Sequence, residues 1–76
     1  MHELALMDDL VAHISEQVRD RVIVVRLELG RDSCVSPDAL RFCFDVCAKE
    51  TVLEGASLDI LAIEGNAMRL KEIEVT

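Results

Sequence analysis

The segment Val22-Ile-Val-Val-Arg-Leu-Glu-Leu-Gly30 constrains this chain more than any other. Four β-branched residues in succession suit an extended backbone and weaken a helix, and the alternation after them creates two unlike faces. The segment reads as a strand with one well-buried face, formed by Ile23, Val25, Leu27 and Leu29. Val22, Val24, Arg26 and Glu28 form the other, and Gly30 ends it.

Cover for that face comes from two helical stripes. Leu4, Met7, Val11, Ile14 and Val18 recur at three- and four-residue steps, widened by Leu6 and Leu10, which predicts a helix over residues 4–18. Asp8 and Asp9 lie early in it and Arg19 just beyond it, as the helix dipole favours. Ser36-Pro37-Asp38 is a helix start: a serine cap, a proline at the first helical position and an acid in the first turn. From there to about Lys49 the pattern carries Leu40, Cys43, Phe44 and Cys47 inward. Phe42, Val46 and Ala48 extend apolar surface around this second helix, which predicts a central helix or one covered on a second side.

Leu58–Ile63 and Met68–Val75 read as two further strands, separated by a reversal at Glu64-Gly65-Asn66-Ala67. A hairpin between them is the most economical arrangement. The last strand changes phase between Leu70 and Ile73, which predicts a bulge or twist near Lys71-Glu72. The expected architecture is α/β, a two-layer α+β domain spanning residues 1–76. Two helices pack on one face of a three-stranded mixed sheet, in the order α-β-α-β-β.

At 76 residues the chain buries only about 60% of its unfolded surface, so lone folding is marginal and a partner or homodimer has room. The exposed side of the sheet, Val22 and Val24 included, is the surface on which a second copy would pair. Fifteen acidic against eight basic side chains disfavour a phosphate-tracking surface, and two phenylalanines as the only aromatics offer no base-stacking platform. No nucleic-acid partner is expected. No stretch approaches a membrane span and the first residues lack a basic leader, so a cytoplasmic location is expected. Three cysteines without framework spacing fit reduced thiols.

Chemistry concentrates at Met1-His2-Glu3. The amine of Met1 and the amide nitrogen of His2 close a five-membered ring around a metal. The same amide and the imidazole δ-nitrogen close a six-membered ring, and the His2 and Glu3 amides close another of five. Four in-plane nitrogens that displace amide protons suit Ni(II) or Cu(II) rather than zinc or magnesium. Against this stand two facts: a histidine near a terminus is usually a solvated side chain, and a helix N-terminus disfavours cations. Glu3 fits better as a supporting group, holding the imidazole or fixing the terminal turn, than as a direct ligand.

Other candidates read more plainly. Cys43 and Cys47 share a helical face with Leu40 and Phe44, as small buried hydrophobes would. Cys34 falls in a loop as the accessible thiol, and His13 reads as a boundary histidine or a fourth metal ligand. No Cys-x-x-Cys pair occurs, so a tetrathiolate zinc site is not expected. No phosphate-binding loop, dinucleotide fingerprint or catalytic triad spacing is present, and Asp8-Asp9 cannot share one helical face. No enzyme is expected.

The opening Met1-His2-Glu3-Leu4 resembles the nickel-binding start of the HypA/HybF family of hydrogenase nickel-incorporation proteins. The resemblance continues through Val25–Gly30, Pro37–Val46, Glu54-Gly55-Ala56 and Lys71–Val75, in collinear order over nearly the whole chain. It implies a nickel-binding metallochaperone with metal site His2, Met1 and Glu3. Implied partners are a nickel-dependent HypB-like GTPase and the precursor of a hydrogenase large subunit. The family normally carries a zinc module with two Cys-x-x-Cys pairs between its second and third core strands. Here only Glu64-Gly65-Asn66-Ala67 stands there, so Ni(II) and no zinc is the expectation. The competing expectation is an assembly module that keeps this fold with little or no metal delivery.

Overall fold

The computed structural model describes residues 2–76. It contains α1 (Glu3–Gln17), β1 (Val22–Gly30), α2 (Pro37–Ala48), β2 (Ser57–Ile63) and β3 (Met68–Val75). Two helices and a three-stranded mixed sheet, in the expected order α-β-α-β-β, make the two layers. Ser36 caps α2 as its sequence predicts: the Ala39 N–H donates to Ser36 Oγ at 3.2 Å, with Pro37 in the first turn.

The strand order is β2-β1-β3, which corrects the expected hairpin. β1 pairs parallel with β2 and antiparallel with β3, so β2 and β3 never touch. The reason lies in β1 itself. It is the most deeply buried strand, and the centre of the sheet is the one place where both of its edges are paired. α2 then serves as the crossover that a parallel β1–β2 pair requires, and it returns the chain on the helix-facing side.

The segment Glu64–Ala67 therefore arches over the end of β1. The amides of Gly30, Arg31 and Asp32 donate to the carbonyls of Ala67, Ile63 and Gly65 at 2.7, 2.9 and 2.9 Å. Gly65 takes a positive φ of 88° at the top of the arch. Gly30 lies directly beneath, and a Cβ there would collide with the Gly65 carbonyl and sit 2.7 Å from the Asn66 Cα. Close backbone approach is what this glycine permits.

Two irregularities set the faces of β1. Between Arg26↔Glu72 and Leu27↔Leu70 the register skips Lys71, the bulge anticipated in β3. A second lies in β1 at Ile23, between Val22↔Val75 and Val24↔Glu74. It reverses the expected phase at the start of the strand: Val22 is buried in the core and Ile23 is exposed. Val22 is thus not part of an open sheet face. From Val25 onward the prediction holds, with Val25, Leu27 and Leu29 buried.

Met7, Val11 and Ile14 of α1 and Leu40, Phe44 and Ala48 of α2 pack on that face, closed below by Leu53, Ala56 and Leu58. Leu4, expected in the stripe, is exposed at the first turn. Cys43 and Cys47 are half-buried at the edge of the core rather than within it. Phe42 is 71% exposed and Val46 45%, so the outer side of α2 is uncovered, against the expectation of a second covering layer.

On the open face, Arg26 ties the three strands together. Its guanidinium donates to Glu74 at 2.6 Å and Glu72 at 2.9 Å on β3, and its Nε lies 3.8 Å from Asp59 on β2. Because these groups are substantially exposed, salt screens them, and the network orients the sheet more than it stabilises it.

Gly30→Ala tests the arch. Cβ would meet backbone atoms that cannot swing aside, and an expected loss of about 1–3 kcal/mol follows from overpacking a fixed contact. Urea unfolding followed by circular dichroism measures it; an unchanged midpoint would mean that the arch is not held against β1.

Candidate metal site

His2 is the N-cap of α1, with φ −96° and ψ 91°, and its carbonyl accepts the first helical hydrogen bond from Leu6 at 3.1 Å. Its side chain is exposed and makes no capping bond. The N-terminal amides of a helix have no intrahelical acceptor, so those of His2 and Glu3 have no helical partner, and the Glu3 N–H turns to its own carboxylate instead. The backbone nitrogens that a planar chelate needs are thus the ones that α1 leaves over. Met1, the third member of the expected set, lies outside the described residues.

The Glu3 carboxylate is engaged by the cap of α2. It accepts from the Ser36 N–H at 3.3 Å, joining the first turn of α1 to the cap of α2 across 33 positions. The residue's own backbone N–H, then that of Ser36, hold this carboxyl below the ordinary glutamate range. Of the two supporting roles expected for Glu3, this is the one that fixes the terminal turn. No sequence signal pairs Glu3 with Ser36; the contact exists because the helices pack side by side.

The Cys47 Sγ lies 3.9 Å from the Leu4 carbonyl oxygen. Burial raises the Cys47 thiol, and the Asp8 carboxylate and the neighbouring Cys43 raise it further. A thiol kept protonated is a poor metal ligand. His13 is exposed 11 positions further along α1 than His2, about 16 Å down the axis, so it does not join the terminal site. Among the described residues no three histidine, cysteine, aspartate or glutamate side chains form a metal-holding group.

The sequence model described as "Hydrogenase/urease nickel incorporation, metallochaperone, hypA" matches residues 1–71. The chain belongs to the HypA family. The hydrogenase maturation factor HypA of Nostoc punctiforme is 48% identical over 66 residues, covering 86% of this chain and 58% of that protein. The HypA of Trichodesmium erythraeum matches with the same identity and coverage. This chain thus spans about 58% of the length of these curated relatives. The solution structure of the Ni metallochaperone HypA from Helicobacter pylori superposes with a TM-score of 0.79 at 18% identity. That superposition covers 99% of this chain and 97% of the other, and at this identity it speaks for the HypA fold alone. No helix among the described residues is long and apolar enough to cross a membrane.

Two measurements follow from the site. Because the Glu3 pKa is depressed, the tie to Ser36 is present above the ordinary glutamate range and is lost as pH falls through the lower folded value. The Ser36 amide resonance should therefore titrate with a midpoint below that of a free glutamate, and Glu3→Gln should abolish the titration. In timed alkylation read by mass spectrometry, exposed Cys34 should react first and Cys47 last; the reverse order would contradict the packing of Cys47 against α1.

Proposed function

We propose that this chain is a HypA-type nickel-handling domain that takes up Ni(II) at its amino terminus and passes it on during nickel-iron hydrogenase maturation. The observation that carries the reading is the family match, which begins at residue 1 and so includes Met1-His2-Glu3. The position of His2 as the cap of α1 supports it, since the chelating amides there have no helical partner.

In this reading the metal is cargo. The His2 imidazole and the amide nitrogens of His2 and Glu3 contribute donors, and the Met1 amine completes the square. Deprotonated amides offset the unfavourable helix dipole by bringing negative charge to the ion. Glu3 keeps the first turn anchored to α2, so the donor set is carried on a fixed support. A cargo site needs accessible donors, and His2 is exposed. A HypB-like GTPase and a hydrogenase large-subunit precursor are the partners this role calls for, in the cytoplasm, with no catalytic step assigned to the chain itself. The uncovered apolar side of α2, at Phe42 and Val46, favours a second reading in which partner assembly is the main role and metal delivery is minor.

Calorimetric Ni(II) titration of protein whose first residue is Met1, beside His2→Ala, separates the two. The nickel reading expects near-stoichiometric uptake that His2→Ala and an N-terminal extension each abolish, with helical content unchanged. It also expects affinity to fall on acidification, because binding displaces imidazole and amide protons. Equal nickel binding by wild type and His2→Ala would sink it. Weak uptake in the wild type with intact partner binding would favour the assembly reading.

A further inference from the structure

β3 reads Met68-Arg-Leu-Lys-Glu-Ile-Glu-Val75, with its two basic residues in the first half and its two acids in the second. Directly paired residues of an antiparallel ladder share a face. Met68, Leu70, Ile73 and Val75 lie opposite the buried Leu29, Leu27, Val25 and Val22, and so belong to the helix-facing side. Arg69, Glu72 and Glu74 lie opposite Glu28, Arg26 and Val24 on the open side. The bulge at Lys71 keeps the apolar residues of both halves on one face despite their different parity.

β3 is an edge strand, exposed or half-exposed along its whole length. Ladder bonds at either end fix which backbone groups remain free: the Gly30 N–H donates to Ala67, and the Thr76 N–H to Arg21. Counting inward from both ends, the amides and carbonyls of Met68, Leu70, Ile73 and Val75 point away from β1. Leu70 and Val75 are each 40% exposed although they face the helix layer, because no described residue covers the sheet beyond them.

We propose that β3 is a self-pairing edge, on which a second copy of this chain docks its own β3 antiparallel about a two-fold axis between Lys71 and Glu72. In that register Met68 meets Val75, Arg69 meets Glu74, Leu70 meets Ile73 and Lys71 meets Glu72, each pair twice by symmetry. Apolar residues meet apolar residues on one face, and opposite charges meet on the other. The outward backbone groups of Met68, Leu70, Ile73 and Val75 fall opposite one another, as a hydrogen-bonded ladder needs. Edge strands usually carry charge to repel a second edge. Here the charge is divided by sign along the strand, so a parallel partner meets like charges and an antiparallel partner in this register meets opposite ones. Lys71 makes no ion pair among the described residues and is free to take the Glu72 of a second copy. The product is a continuous six-stranded sheet with both helix pairs on the same face. β2, the other edge, carries a single charged residue, Asp59, and no such complementarity.

The test is sedimentation equilibrium at low salt on the native protein, Lys71→Glu and Glu72→Lys. The native chain is expected to dimerise, and each variant to weaken association by roughly tenfold or more, since each sets two like-charged pairs at the axis. An equimolar mixture of the two variants should restore native association, because the mixed pair regains both opposite-charge contacts. Leu70→Pro gives an independent arm: its N–H faces away from β1, so proline removes an outward donor while leaving the β1 ladder intact, and association should be lost with native circular dichroism. A native chain that stays monomeric overturns the proposal. So do charge variants that associate like the native chain, a mixture no better than its components, or a folded Leu70→Pro that still dimerises.

Discussion

The structure depends on β1 being paired along both edges while its apolar face is covered. A buried strand leaves no water for its amides and carbonyls, so each needs a backbone partner. One edge takes β2 in parallel and the other takes β3 antiparallel. From that single demand follow the crossover through α2, the arch of Glu64–Ala67 over the strand end, and the glycine that lets the arch come down. Here four residues make the crossing, held by amides at the end of β1.

The nickel site proposed at the amino terminus would need no pocket. α1 begins at Glu3, so the amides without a helical partner coincide with the proposed nickel donors. What the tertiary structure adds is the support. The Glu3 carboxylate spans to the cap of α2, and the Cys47 thiol packs against the Leu4 carbonyl. Both side chains brace the first turn of α1, on which the proposed site would sit. A braced helix end with an exposed His2 suits the proposed uptake and release of a metal.

Charge has two separate jobs on the open face of the sheet. Around Arg26 it links strands within one chain, at exposures where salt screens much of its strength. Along β3 it is ordered by sign: Arg69 pairs with Glu28 of β1, Glu72 and Glu74 with Arg26, and the same order faces whatever approaches the edge. Discrimination between registers is the natural use of such a pattern, since a shift by one residue brings like charges together.

Element positions were legible from periodicity because the relevant contacts are local: the cap Ser36, the stripe of α1, the run of β1 and the bulge at Lys71 all appear where the sequence puts them. The proposed donors at His2 and its neighbouring amides rest on the sequence alone, since chelate geometry depends on adjacent atoms. Strand order was not legible, because β2 and β3 are compatible with a hairpin and only competition for the edges of β1 separates them. Nor were the burial of Val22, the exposure of Ile23, or the partnership of Glu3 with Ser36. The sequence by itself determined the elements, the family and the candidate donors, all of which rest on residues close together in the chain. Only the tertiary structure decided which strand lies at the centre, which face each β1 residue takes and what Glu3 holds, because those follow from packing between segments far apart in sequence.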